Sequence, residues 1–141
     1  MKGILRNSLA VIAGIVVGSL VNMGLIMAGS VIVPPPPGVD PMNAESLAAA
    51  MDQFGPLNFL FPFLAHALGT LAGATLAFIL AGSRAQLLAW IIGVFFLAGG
   101  IAASFMIPAP AWFIATDLLL AYLPMAWLAG VIGRRLRARQ G

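Results

Sequence analysis

The sequence contains no cysteine, one histidine and one tyrosine. Without cysteine the chain has no disulfides, thiolate zinc sites or thiol redox centres. Charge is also scarce: seven basic and four acidic side chains make up 8% of the 141 residues, where soluble proteins have roughly 25%. So little charge excludes an ordinary globular enzyme, a disordered chain and a free nucleic-acid-binding domain.

Apolar residues take the place of the missing charge. The hydrophobic share is 62% before the 16 glycines are added, and soluble domains reach about 45–50% with glycine included. Most of this apolar sequence lies in four runs, each long enough for the ~20 residues that a membrane-spanning helix needs. We therefore predict an all-α integral membrane protein, a single domain over 1–141 that forms a four-transmembrane-helix bundle with spans at 7–33, 56–81, 84–107 and 111–133.

The segment 34–55 is polar enough to lie outside the membrane. It opens with four prolines, which provide no backbone donors and end the first span. Asp40 before Pro41 is typical of a helix start, and Gly55 of a helix end. Three apolar residues would share one helical face at i, i+4, i+7 spacing, namely Leu47, Met51 and Phe54. We predict a short amphipathic helix in this first outer loop.

The basic and the acidic residues fall on opposite sides of the predicted membrane domain. All basic residues lie at the N-terminus, at Arg84 or in the tail 134–141, and these places share one side of a four-span chain. The loop acids Asp40, Glu45 and Asp52 lie on the other side. Since basic residues collect on the cytoplasmic side, both termini should be cytoplasmic. Basic residues that flank spans also contact lipid headgroups, so the lipid bilayer rather than a nucleic acid is the expected partner.

Two stripes of small residues mark the first two spans. Gly14 and Gly18 stand four apart in span one, and Gly69 and Gly73 do so in span two. Small residues at this spacing let helix backbones approach closely in lipid. We expect tight packing inside one bundle; the alternative is contact with another copy, as in a homo-oligomer, or with a larger membrane complex.

Polar residues inside the spans are the candidates for a functional site, because they are costly to place in hydrocarbon. Asn22, His66 and Asp117 fall at similar depths on three different spans, and Thr70 and Ser104 could join them. We predict that His66 and Asp117 face the bundle interior and come within reach of each other. Such a set could bind a ligand, ion or proton, or it could only fix the packing of the helices.

Two prolines interrupt apolar spans. Pro124 cannot donate to the carbonyl of Leu120, and Pro62 leaves the carbonyl of Asn58 free in the same way, so each predicts a kink. No nucleophile motif, paired carboxylates or phosphate-binding loop accompanies them, and no catalytic residue is assigned. One histidine without cysteine does not complete a metal or haem site, so we expect no metal and no cofactor.

Four segments carry a resemblance to known sequences: 19–24 (SLVNMG), 36–41 (PPGVDP), 61–70 (FPFLAHALGT) and 121–125 (AYLPM). They resemble a family of small bacterial membrane proteins to which no activity is assigned. The resemblance implies a multi-pass protein of the bacterial inner membrane with four helices. We expect a non-enzymatic membrane component or accessory subunit. The alternative is a transporter or channel for a small solute, ion or proton, and an enzyme ranks last.

The predicted orientation can be tested by cysteine labelling, since the chain has no cysteine of its own. Asn43→Cys should react with a membrane-impermeant maleimide added to intact cells. Gly141→Cys should react only after the cells are opened, because positive-inside counting puts this end in the cytoplasm. Labelling of Gly141→Cys from outside, with Asn43→Cys protected, would contradict the orientation.

Overall fold

The computed structural model describes residues 2–139, which are mainly helical and contain no β-strand. The α-helices in this range are α1 Lys2–Ile32, α2 Ala44–Ala49, α3 Leu60–Leu80, α4 Ala85–Met106, α5 Ala111–Leu120 and α6 Leu123–Ala138. Two short 3-10 helices lie between α2 and α3, at Met51–Gln53 and Pro56–Phe59. The predicted all-helical class is confirmed.

Four helical stretches of the described chain are long and apolar enough to cross a membrane, as predicted. They are Gly3–Ile32, Pro56–Leu80, Ala85–Met106 and Ala111–Ala138. The second stretch joins a 3-10 helix to α3, and the fourth consists of α5 and α6. Its helix continues to Ala138, so the tail arginines from 134 to 137 belong to the last turns of α6. Met1, Gln140 and Gly141 of the predicted domain lie outside the described residues.

α3 is the central helix of the protein, because it contacts α1, α4 and α6, with its most extensive contact on α1. The long helices define two ends. The arginine end holds the start of α1, the turn 81–84 and the end of α6, where Arg6 and Arg137 reach the last turn of α3. The loop end holds residues 33–55, which connect α1 to the second span.

The contact between α1 and α3 runs through glycine. A β-carbon built on Gly14 would lie 2.7 Å from the carbonyl oxygen of Gly73, and one built on Gly18 would lie 2.8 Å from that of Gly69. These distances leave no room for a side chain, so the two backbones touch. Close approach of this kind is how helices associate in lipid. Both predicted stripes thus face each other within one chain.

The arginine end satisfies the last carbonyl groups of α3, which have no partner within the helix. The Arg137 Nη2 donates to the carbonyl oxygens of Phe78 at 2.6 Å, Ile79 at 3.0 Å and Ala81 at 2.7 Å. The Nε of Arg6 donates to the carbonyl oxygen of Leu80 at 2.8 Å. Two arginines from opposite ends of the sequence therefore cap one helix.

The turn between α3 and α4 is held from α1. The Asn7 Oδ1 accepts from the backbone N–H of Gly82 at 2.9 Å and from that of Ser83 at 3.3 Å. Its Nδ2 donates to the Ser83 hydroxyl at 3.1 Å. Arg84 follows in the left-handed region, with φ of 49°. The first turns of α1 thus order a turn that is about 75 residues away in sequence.

The fourth span is interrupted at residues 121–122, where α5 ends and α6 begins. Pro124 lies in the first turn of α6, a position that needs no backbone N–H. The predicted kink at Pro124 is therefore a break between two helices. Pro62 similarly lies in the first turn of α3, where proline removes no intrahelical hydrogen bond.

The loop helix starts later than predicted. Asn43, and not Asp40, is the N-cap of α2, because the Asn43 Oδ1 accepts from the N–H of Ser46 at 3.0 Å. The Asp40 Oδ1 accepts from the N–H of Met42 at 2.9 Å, a turn that an aspartate forms with the backbone two residues on. The prediction that Asp40 begins the helix was wrong, since its carboxylate stabilises a turn before it.

The glycine contact predicts that one added methyl group will weaken the fold at Gly14 but not at Gly24. Gly14→Ala places a carbon against the Gly73 carbonyl and should cost about 1–3 kcal/mol of unfolding free energy, the range for overpacking. Gly24 has open space around it, so Gly24→Ala should leave stability unchanged or raise it by up to about 1 kcal/mol. Unfolding followed by circular dichroism in mixed micelles measures both, and equal losses would contradict the assignment.

Candidate functional site

A buried carboxylate joins α3 to the broken fourth span. The Asp117 Oδ1 lies 2.8 Å from the Nδ1 of His66, and the Tyr122 hydroxyl donates to the Asp117 Oδ2 at 2.9 Å. The His66 and Tyr122 rings stack with their centroids 5.8 Å apart. The structure thus brings His66 and Asp117 together on neighbouring helices and adds a third residue to the pair.

The two contacts use both oxygens of Asp117, whose side chain is buried. A buried carboxylate is costly unless hydrogen bonds and an opposite charge compensate for lost water. Tyr122 is a hydroxyl donor, and His66 donates from Nδ1 when Asp117 is ionised. This arrangement leaves the Nε2 of His66 as the ring nitrogen without a partner among the described residues. The His66 side chain remains 25% exposed.

The exposed part of His66 faces a cavity of about 350 Å³ at the loop end. The walls come from α1, α3, α4 and α5, and residues of the connection 33–55 form the roof. The roof residues include Leu47, Met51 and Phe54, the three whose spacing predicted an apolar face. They do not lie on one α-helix as predicted: Leu47 belongs to α2, Met51 to the 3-10 helix Met51–Gln53, and Phe54 follows that helix.

Aromatic rings fix the roof to the walls. The Phe59 ring lies 6.2 Å from Phe54 of the roof, 4.8 Å from Phe113 and 5.5 Å from Trp112, measured between centroids. Asn58 adds polar contacts: its Oδ1 accepts from the N–H of Gly55 at 3.1 Å, and its Nδ2 donates to the carbonyl of Pro34 at 3.1 Å. These contacts therefore hold the roof residues against the walls of the cavity.

The other predicted polar residues lie in different places. Ser104 lines the cavity, and its hydroxyl donates to the carbonyl of Ile101 at 2.7 Å. Asn22 lies against α3, where a β-carbon on Gly69 would be 3.1 Å from the Asn22 Cβ, and it does not line the cavity. Thr70 is fully buried one turn from His66, and its hydroxyl has no partner among the described residues. Asn22 and Thr70 are thus outside the His66–Asp117 site.

Tyr122 is the site residue that sequence reasoning missed. In an unbroken helix a residue five positions after Asp117 points to a different face. The break at residues 121–122 turns the tyrosine back toward the carboxylate. Gly100 of α4 makes the space for it, because a β-carbon there would overlap the Tyr122 hydroxyl. The one tyrosine of the chain, next to Pro124 in a polar-poor span, was the available signal.

The site can hydrogen-bond a ligand through the imidazole of His66. Within residues 2–139 no group of three or more histidine, aspartate or glutamate side chains could hold a metal ion. The hydroxyls of Ser104 and Ser30, which also line the cavity, donate to backbone carbonyls of their own helices. Neither donates to His66 as the nucleophile of a histidine-assisted reaction would.

Comparisons of the chain with protein-family models, with curated proteins and with solved structures find no match.

The geometry predicts that Asp117→Asn will destabilise the protein. An amide has one acceptor oxygen where the carboxylate has two, so one of the bonds to His66 and Tyr122 is weakened. We expect a loss of about 1–3 kcal/mol in unfolding free energy, the range for disturbing a buried hydrogen-bonded group. Asp52→Asn is the matched control, because Asp52 is exposed in the loop. Equal stability of the two variants would contradict the structural role of the pair.

Proposed function

We propose that the protein is a non-enzymatic component of the bacterial inner membrane that binds a small molecule in the cavity above His66. The four spans form a bundle with both termini in the cytoplasm, and α2 lies at the outer surface. The orientation is supported by the charges: Arg6, Arg84 and the α6 arginines belong to the arginine end, and the acidic residues to the loop end. The bacterial inner membrane rests on the sequence resemblance alone.

The cavity is the observation that carries the proposal. Its volume of about 350 Å³ falls in the range of small-molecule sites, and such sites combine an apolar wall with a few polar groups. Polar residues that serve packing alone are expected to be fully buried among their neighbours, as Thr70 is. His66 instead lines the cavity with a side chain that is 25% exposed, while its Nδ1 is held by Asp117. This is how a protein presents a fixed hydrogen-bonding atom to a ligand.

An accessory role based on packing with other chains has less support. The glycine stripes, which would be the surfaces for close helix contact, are covered inside the chain by each other. The exposed apolar side chains of α1, such as Leu9, Val16 and Leu20, are what lipid contact requires. A homo-oligomer or a larger membrane complex would have to use these lipid-facing surfaces.

Transport is the second candidate, favoured by one observation. The fourth span is broken beside Asp117, and broken helices with buried polar residues occur at the substrate sites of transporters. The half of the protein toward the arginine end is filled, however, by a close-packed apolar core that includes Ala10, Ala74, Phe78 and Ile92. Transport would therefore require this core to open.

The binding proposal can be tested by filling the cavity. Ala103 lines it, and the adjacent Ala102 is exposed on the outside of α4. Benzophenone, a two-ring apolar probe that labels nearby residues on irradiation, should label Met42 and Met51 of the roof in a saturable manner. Ala103→Trp should reduce this labelling at least about tenfold, because the indole occupies the space of the probe. Labelling is read by mass spectrometry of peptides.

Ala102→Trp is the control, since it adds the same side chain on the lipid side and should leave labelling unchanged. Circular dichroism and unfolding in micelles check that both variants fold. Equal labelling of the two folded variants, or labelling that never saturates, would contradict a binding cavity.

A further inference from the structure

Among the polar side chains that line the cavity, one nitrogen or oxygen has no hydrogen-bond partner among the described residues. These polar lining side chains are Ser30, Asn58, His66, Ser104 and Asp117. The hydroxyls, the amide and the carboxylate among them already have partners within the protein. The Nε2 of His66 has none among the described residues. A ligand with several polar groups would have to share partners that the protein already uses, and each group left unpaired would cost about 1–3 kcal/mol.

The apolar lining determines the size and the polarity of the ligand body. Methionine and phenylalanine side chains cover the upper walls and roof, among them Met23, Met51, Phe54 and Phe113. Flexible methionines adapt to varied apolar shapes. An apolar protein cavity of about 150 Å³ accepts one benzene ring, so the present volume of about 350 Å³ accepts a body of about two rings or a chain of similar size.

The hydrogen bonds of Asp117 determine which polar head group of a ligand can bind to His66. With its carboxylate accepting from His66 Nδ1 and from Tyr122, the Nε2 of a neutral His66 is an acceptor, and that of a protonated His66 is a donor. A hydroxyl group serves both states, because it can donate and accept. A ligand carboxylate would bring a second anion beside Asp117, and an ammonium group has three donors for one free acceptor.

We propose that the cavity binds an uncharged alcohol or phenol with an apolar body, its hydroxyl on the Nε2 of His66. This rests on the proposed small-molecule site and specifies its ligand class. Asp117 and Tyr122 act as positioning residues: they hold the imidazole in one tautomer and orientation, and do not touch the ligand head. The apolar body contacts the walls and roof above.

The chain offers a direct readout, because His66 is its one histidine. Selective 15N-histidine labelling of the protein in micelles gives signals from this residue alone. The probes are 1-naphthol, naphthalene, 1-naphthoate and 1-naphthylmethylammonium, with concentrations expressed as mole fraction in the micelle. We expect 1-naphthol to shift the Nε2 resonance saturably and to half-saturate at about fivefold lower mole fraction than naphthalene, the ratio that one net hydrogen bond gives.

Two variants show where the preference comes from. In His66→Phe, 1-naphthol and naphthalene should compete equally with benzophenone labelling, because the hydrogen-bonding atom is gone. Asn22→Ser is the matched control, since Asn22 lies outside the cavity, and it should keep the preference for 1-naphthol. The titrations of the natural protein decide the matter even if His66→Phe does not fold.

The outcomes separate this inference from the proposed function. Equal affinity for naphthalene and 1-naphthol would overturn the hydroxyl head group while leaving a binding cavity in place. Tighter binding of the naphthoate or of the ammonium probe would overturn it in favour of an ion site. If none of the four probes perturbs His66 saturably, both the ligand class and the proposed function fail.

Discussion

The protein depends on the absence of side chains where α1 crosses α3. Gly14 and Gly18 touch the backbone of Gly73 and Gly69, and nearer the loop end a β-carbon on Gly29 would overlap Phe61. α1 is thereby fixed to the central helix along most of its length. The same two glycines of α1 accept Ile92 and Phe96 of α4, so a third helix is positioned by the crossing. Since apolar surface gives helices no reason to leave lipid for one another, this contact geometry has to provide the specificity.

The second determinant of the structure is the carboxylate of Asp117. It needs donors on both oxygens, and a continuous fourth span would supply only His66 from α3. The break between α5 and α6 brings Tyr122 to the other oxygen, and Gly100 of α4 leaves space for its ring. The second and fourth spans are thus joined at a single polar point that lines the cavity, and α4 packs against it through Gly100. Packing and the proposed ligand binding therefore draw on the same residues, with Nε2 of His66 as the side-chain atom that has no partner among the described residues.

Sequence reasoning reached the parts of this structure that follow from one-dimensional patterns. Apolar run length gave the four spans, and equal depth on separate spans gave the approach of His66 to Asp117. The sequence-based predictions failed where one side chain could take part in two different local structures. Asp40 could cap a helix or form a turn, and only the folded loop shows the turn, with Asn43 as the cap. Tyr122 was missed because helical periodicity places it away from Asp117, and the break that reverses this is visible in the sequence only as a proline. Depth also grouped Asn22 with the site, although depth does not say which way a side chain faces.

The capping of α3 by Arg6 and Arg137 has a consequence for the order in which the protein is made. The carbonyl groups that Arg137 satisfies lie 56 to 59 residues before it in the sequence, so they leave the ribosome earlier than Arg137 does. During insertion, α1 and α3 can associate through their glycines as soon as both are in the membrane, while the end of α3 still relies on water and Arg6. The capping of α3 is thus complete only after Arg137 has been synthesised. A chain truncated before residue 137 would keep its four apolar helices and yet leave three carbonyl groups at the end of α3 without the Arg137 guanidinium.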